Sequence, residues 1–99
     1  MPKNDDALFI HDVKQSWAAK AFDCALWIDQ PGQVWEDFIH DVDELVMVLE
    51  GDVEFEVDGR CHHPLIGESL LIPAKTIHSV RNIGGTTARW LYGYRLRGL

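Results

Sequence analysis

Between Glu44 and His63 the chain reads ELVMVLEGDVEFEVDGRCHH, and turn residues recur too often there for anything but short strands. Val53 to Val57 alternates, with Val53, Phe55 and Val57 on one face and Glu54 and Glu56 on the other, the period of a half-buried strand. Asp58-Gly59 follows, and a two-residue type I′ turn needs positive φ at both central positions, which this dipeptide tolerates. That turn sets a register in which Phe55 opposes His62 and Glu54 opposes His63. The same punctuation continues outward. Ala21 to Asp29 is closed by Gln30-Pro31-Gly32, and Gln33 to His40 leads into Asp41-Val42-Asp43. Glu44 to Glu50 stops at Gly51, and Arg60 to His63 returns from the hairpin. Leu70 to Ile72 stops at Pro73, and Ile77 to Asn82 ends before Gly84-Gly85. Thr87 to Leu96 comes last. About eight short strands with turns every 8–12 residues predict an all-β sandwich or barrel.

Residues 1–20 read as an N-terminal arm. The best helical candidate is Val13 to Phe22, where Val13 and Trp17 sit four apart, but the periodicity is weak. Ninety-nine residues without linker or repeat are expected to form one domain, 1–99, with a single core.

Charge narrows the partners. A formal net charge of −7 repels phosphate backbones, so nucleic acid is not an expected partner. Arg89, Arg95 and Arg97 alternate with apolar residues and suit the outer face of a last strand. The longest apolar run, Leu45 to Leu49, is far short of the roughly 20 residues of a membrane-spanning helix. The N-terminus MPKNDDALFI lacks the pattern of a signal peptide. Cys24 and Cys61 form no close-spaced motif, which suits a reduced, cytoplasmic setting.

The chemistry centres on His40 and Glu44. With Asp41 to Asp43 as a hairpin loop, the two would face one another across antiparallel strands, with Cβ atoms about 4.5–5.5 Å apart. An imidazole and a carboxylate so placed bind one metal ion or share a hydrogen bond. His78, between the apolar Ile77 and Val80, is the third candidate. His11 has no companions, and Ser79 lacks a nucleophile elbow. Cys61 fits an exposed hairpin return. The four tryptophans are expected to be packing residues, Trp35 outside the pocket and Trp27 and Trp90 in the barrel or at a subunit interface. Tyr92 and Tyr94 share a face with Trp90.

These positions resemble the cupin family, whose two motifs are G-x5-H-x-H-x(3,4)-E-x6-G and G-x5-P-x-G-x2-H-x3-N. Gly32, His40, Glu44 and Gly51 fall at the spacings of the first, over residues 32–51; Gly67, Pro73, His78 and Asn82 fall at those of the second, over 67–82. Two positions depart from it. Phe38 stands where the family has its first histidine, and Lys75 where it has the glycine of the second motif.

The resemblance implies a cupin-type jelly-roll barrel with one divalent transition metal on His40, Glu44 and His78. Two His and one carboxylate are the donors of non-haem Fe(II) sites and also accept Zn, Mn, Ni or Cu. Glu36, on the same strand face as Phe38 and His40, is the candidate for a fourth ligand. Phe38 is expected to wall the pocket where the missing histidine would stand. Three functions remain open: a metal-dependent enzyme on a small organic molecule, such as a dioxygenase, isomerase or lyase; a non-catalytic binding or sensing module; and a barrel that has lost its metal. A small barrel with sheet edges to hide, like other small cupins, is expected to form a homodimer.

Overall fold

The computed structural model describes residues 3–97. One helix, α1 (Lys3–Ala19), precedes eight strands: β1 (Ala25–Asp29), β2 (Val34–Phe38), β3 (Glu44–Glu50), β4 (Val53–Val57), β5 (Arg60–His62), β6 (Ser69–Ile72), β7 (His78–Asn82) and β8 (Ala88–Tyr94). They form two four-stranded antiparallel sheets, ordered β1-β8-β3-β6 and β2-β7-β4-β5. Eight strands in two antiparallel sheets are the all-β arrangement expected from the strand count, and they agree with the jelly-roll barrel that the cupin resemblance implies. The β4–β5 hairpin has the anticipated register, Phe55 opposite His62, and both turn residues have positive φ, 50° at Asp58 and 79° at Gly59.

The core lies between the sheets, where Val46 and Val48 of β3 meet Phe55, Ile72, Val80 and Trp90. A second cluster lies on the other side of the first sheet. There Leu45, Met47 and Leu91 pack against Val13 and Trp17 of α1 and against Phe22. The unbroken apolar run of β3 is thus buried on both faces, which is why it does not alternate.

From Lys3 the N-terminal arm is a 17-residue helix, which starts well before the Val13 to Phe22 stretch where a weak helical period is expected and ends before Phe22. Its buried stripe is only Ile10, Val13 and Trp17 wide. Leu8 and Phe9 point to solvent at 64% and 42% exposure, which blurs the helical period. No glycine or proline interrupts the segment. Its stability comes from docking onto the sheet.

The His40–Glu44 hairpin is a second correction. β2 pairs with β7, and β3 pairs with β6 and β8, so the two strands belong to different sheets. The loop between them crosses from one sheet to the other. His40 and Glu44 meet across the mouth of the barrel rather than across a ladder.

Candidate metal centre

Glu44 opens β3 on the interior side, opposite Ile72 of β6 and Tyr94 of β8. His78 opens β7, opposite Val57 and Phe38. Both are 5% exposed. His40 lies in the crossing loop, and backbone and side chain together pin that loop. The His40 carbonyl accepts from the Lys75 amide at 2.6 Å, and Asp43 Oδ1 accepts from the Ala74 amide at 2.8 Å. Lys75, standing where the motif has glycine, adopts φ 60°. The left-handed turn is kept without the glycine, at the steric cost an L-residue carries there.

These elements bring His40, Glu44 and His78 together, with one donor atom of each within 4.8 Å of the others. His40 Nε2 is 3.6 Å and His78 Nε2 3.4 Å from the same oxygen, Glu44 Oε1. These are ion-pair distances, too long for good hydrogen bonds. Oε1 is buried without a hydrogen-bond partner among the described residues, a state that natural interiors rarely leave uncompensated.

The tautomer of His78 sharpens this. Its Nδ1 is 3.0 Å from the Thr76 carbonyl, which can only accept, so Nδ1 carries a proton. On a neutral ring, the Nε2 lone pair then confronts a carboxylate oxygen. The arrangement calls for a positive charge between them, a proton or a metal ion. Burial, the largest influence, lowers the basicity of His78, but Glu44 and the Thr76 carbonyl together raise it above the usual histidine value. A second nitrogen held by a carbonyl is also how metal-binding imidazoles are oriented. The donor set thus fits a divalent transition metal.

The fourth-ligand candidate does not join. Glu36 binds Arg81 at 3.0 Å on the outer face, where Arg81 also holds Glu54 and Glu56. The cause is a register shift between Trp35 and Phe38, with Asp37 at φ 63° and its amide donating to Ser79 Oγ at 3.0 Å. The bulge breaks strict alternation. Trp35 turns inward along with Phe38, contrary to its expected place outside, and Glu36 turns outward. Phe38 lines the cavity, its ring 6.3 Å from that of His40 and 6.4 Å from that of His78.

Among the other sequence candidates, His63 pairs with Glu54 at 2.9 Å, while His62 and His11 are exposed and away from the group. Cys24 and Cys61 are free thiols. Arg89 and Arg95 sit outside, on Asp6 and Glu50 and on Asp43 respectively.

The cavity beside the three donors is about 240 Å³. Trp27, Trp35, Trp90, Tyr92 and Tyr94 also line it, so the tryptophans and the β8 stripe wall the pocket as well as pack the barrel. Tyr94 is held as a neutral phenol: burial, then the charge of Glu44, push its pKa up to about 12. Its hydroxyl lies 3.5 Å from His40 Nε2. Asp29, unremarked in the sequence because it precedes an obvious turn, is the acceptor for three indoles. The signal for it was indirect, since buried tryptophans need N–H partners.

The profile of the cupin domain matches residues 25–94. Solved structures agree in fold. TT1209 from Thermus thermophilus is 27% identical with a TM-score of 0.69, covering 78% of this chain and 74% of its own. The cupin domain of an XRE family transcriptional regulator from Enterobacter cloacae is 20% identical with a TM-score of 0.71, covering 82% and 87%. A salicylate 1,2-dioxygenase from Pseudaminobacter salicylatoxidans is 21% identical with a TM-score of 0.70, covering 76% of this chain but 22% of the dioxygenase. No curated protein matches the chain in sequence. No helix among the described residues is long and apolar enough to cross a membrane.

Proposed function

The chain belongs to the cupin family, and from that premise we propose that it binds one divalent transition metal through His40, Glu44 and His78 and acts on a small organic molecule held in the adjoining cavity. The observation that carries this reading is the buried, unpartnered Glu44 Oε1 facing two imidazole nitrogens at 3.4 and 3.6 Å. When bound, the metal would supply Lewis acidity toward a carbonyl or carboxylate oxygen, a more acidic water, or, as iron, oxygen chemistry.

The chain's own residues set the surroundings. Thr76 fixes the ring of His78 through Nδ1. Asp43 and Lys75 hold the loop that carries His40. Tyr94 keeps its phenolic proton beside His40 and can donate it in a hydrogen bond to a bound ligand. Aromatic side chains make up most of the lining, so a bound molecule meets chiefly carbon surface outside the three donors.

Elemental analysis of protein purified without added metal tests the reading. Near-stoichiometric metal that is lost in His78→Ala supports it; less than about a tenth of an equivalent sinks it. Phe38, in the place of a family ligand, favours a second reading: a binding module, or a barrel with no metal at all. An enzyme predicts turnover abolished by chelation. A binder predicts stabilisation by ligand without product, and a metal-free barrel no response to chelation.

A homodimer remains part of the proposal. Leu26 and Ile28 lie exposed on the edge strand β1, at 40% and 57%, and light scattering on the eluting protein would detect the pairing.

A further inference from the structure

Metal ligation does not account for the aromatic half of the cavity. The Asp29 carboxylate at the end of β1 is 2% exposed. Trp27 and Trp35 donate to its Oδ1 at 2.8 and 2.9 Å, and Trp90 donates to its Oδ2 at 3.0 Å. Among the described residues no lysine or arginine pairs with it. All three partners are neutral N–H donors, which satisfy carboxylate oxygens without bringing a positive charge to them, so negative potential stands behind the tryptophan wall.

The same hydrogen bonds decide what the rings offer. The N–H edge is the most positive part of an indole, and here it is spent on Asp29. What remains for the cavity is carbon surface, made more electron-rich by the anion on the N–H. The rings also stand steeply to one another: Trp27 and Trp35 at 73° and 5.8 Å, Trp27 and Tyr92 at 82° and 6.2 Å. Steeply inclined aromatic walls around one space are the arrangement that holds alkylated ammonium groups through cation–π attraction. Among the described residues no lysine or arginine lines the cavity, and the carboxylate that does is Glu44. An anionic head group would meet Glu44 and the field of Asp29; a neutral apolar one would gain burial and nothing from the charge.

We propose that the cavity is a site for a small molecule bearing a tertiary or quaternary alkylammonium group, seated among Trp27, Trp35 and Tyr92. At about 240 Å³ the space lies just below the roughly 300–1,000 Å³ common for drug-sized ligands, so the molecule is small. The inference goes beyond the metal reading and does not require it. With a metal also bound, the same ligand would turn an oxygen-bearing end toward His40, Glu44 and His78.

Choline and tetramethylammonium titrated into chelator-treated protein, followed by indole fluorescence and calorimetry at constant ionic strength, test it. Saturable choline binding is expected, at least about tenfold tighter than that of its neutral isostere 3,3-dimethylbutan-1-ol. Trp27→Leu, at a partly exposed position, should weaken choline by about tenfold with the circular dichroism spectrum unchanged. Asp29→Asn should narrow the preference for choline over the isostere; if that variant does not fold, Trp27→Leu decides. Failure of both cations to bind in the millimolar range, equal affinity for the isostere, or indifference to Trp27→Leu would overturn the proposal. Cation binding by protein that takes up no metal would sustain it while sinking the metal reading, and metal uptake without cation binding would do the reverse.

Discussion

Glu44 Oε1 lies 3.4 Å from His78 Nε2, buried, with no hydrogen-bond partner of its own. A carboxylate in that position is a liability to the empty fold and an asset to a metal site, and the two effects separate by mutation. Glu44→Met is expected to weaken divalent-metal binding by more than about 100-fold, beyond the loss usual for outer-shell partners. The same variant should stabilise metal-free protein by about 1 kcal/mol, since an unsatisfied buried acceptor is removed. Chelator competition and urea unfolding read the two quantities; a variant less stable without metal would argue against the orphaned carboxylate.

Phe38 gives a gain-of-function test. It is in register with His78, and its ring stands 6.4 Å from that imidazole. Phe38→His is expected to add a donor and tighten metal binding by at least about tenfold, or 1.4 kcal/mol. A lowered or unchanged affinity in a competition assay would mean that the bulge before Phe38 aims this position away from the ion.

Asp43 should mark the acid limb of stability. The Ala74 amide, foremost, and the Arg95 guanidinium hold its carboxyl below the ordinary value of 3.8. A folded-state pKa lower than the unfolded one stabilises at pH values above the unfolded value, and that contribution disappears as pH falls through the folded value. Below about pH 4 the protein should therefore lose stability more steeply than Asp43→Asn does. Thermal melts of the two proteins between neutral pH and the acid limb check this; parallel curves would count against it.

Gly93 allows the segment after α1 to lie on β8. A Cβ there would fall onto the Asp23 carbonyl and press on Trp17 at 3.0 Å. Gly93→Ala is expected to destabilise by about 3 kcal/mol, the upper range for overpacking against backbone. Denaturant unfolding measures it, and a loss well under about 1 kcal/mol would mean the segment moves aside freely.

What could be read from the sequence follows from how locally each feature is encoded. The eight strands and the register of the Asp58-Gly59 hairpin rest on turn chemistry and fixed spacings, which neighbouring residues specify. The grouping of His40, Glu44 and His78, in contrast, was legible only through the resemblance to the cupin motifs. The helix is only faintly legible, over Val13 to Phe22, because Leu8 and Phe9 stand off its buried stripe. An indirect sign of it lay far along the chain, in the unbroken run Leu45 to Leu49, whose outer face needs a cover.

The rest was decided by tertiary structure alone. One extra residue around Asp37 swung Trp35 inward and Glu36 outward onto Arg81, and a single bulge reverses the face of every residue before it. That His40 and Glu44 meet across two sheets, and that Asp29 gathers three indoles from β1, β2 and β8, depends on strands distant in sequence. Their partners are chosen by the closing of the barrel, not by neighbours along the chain.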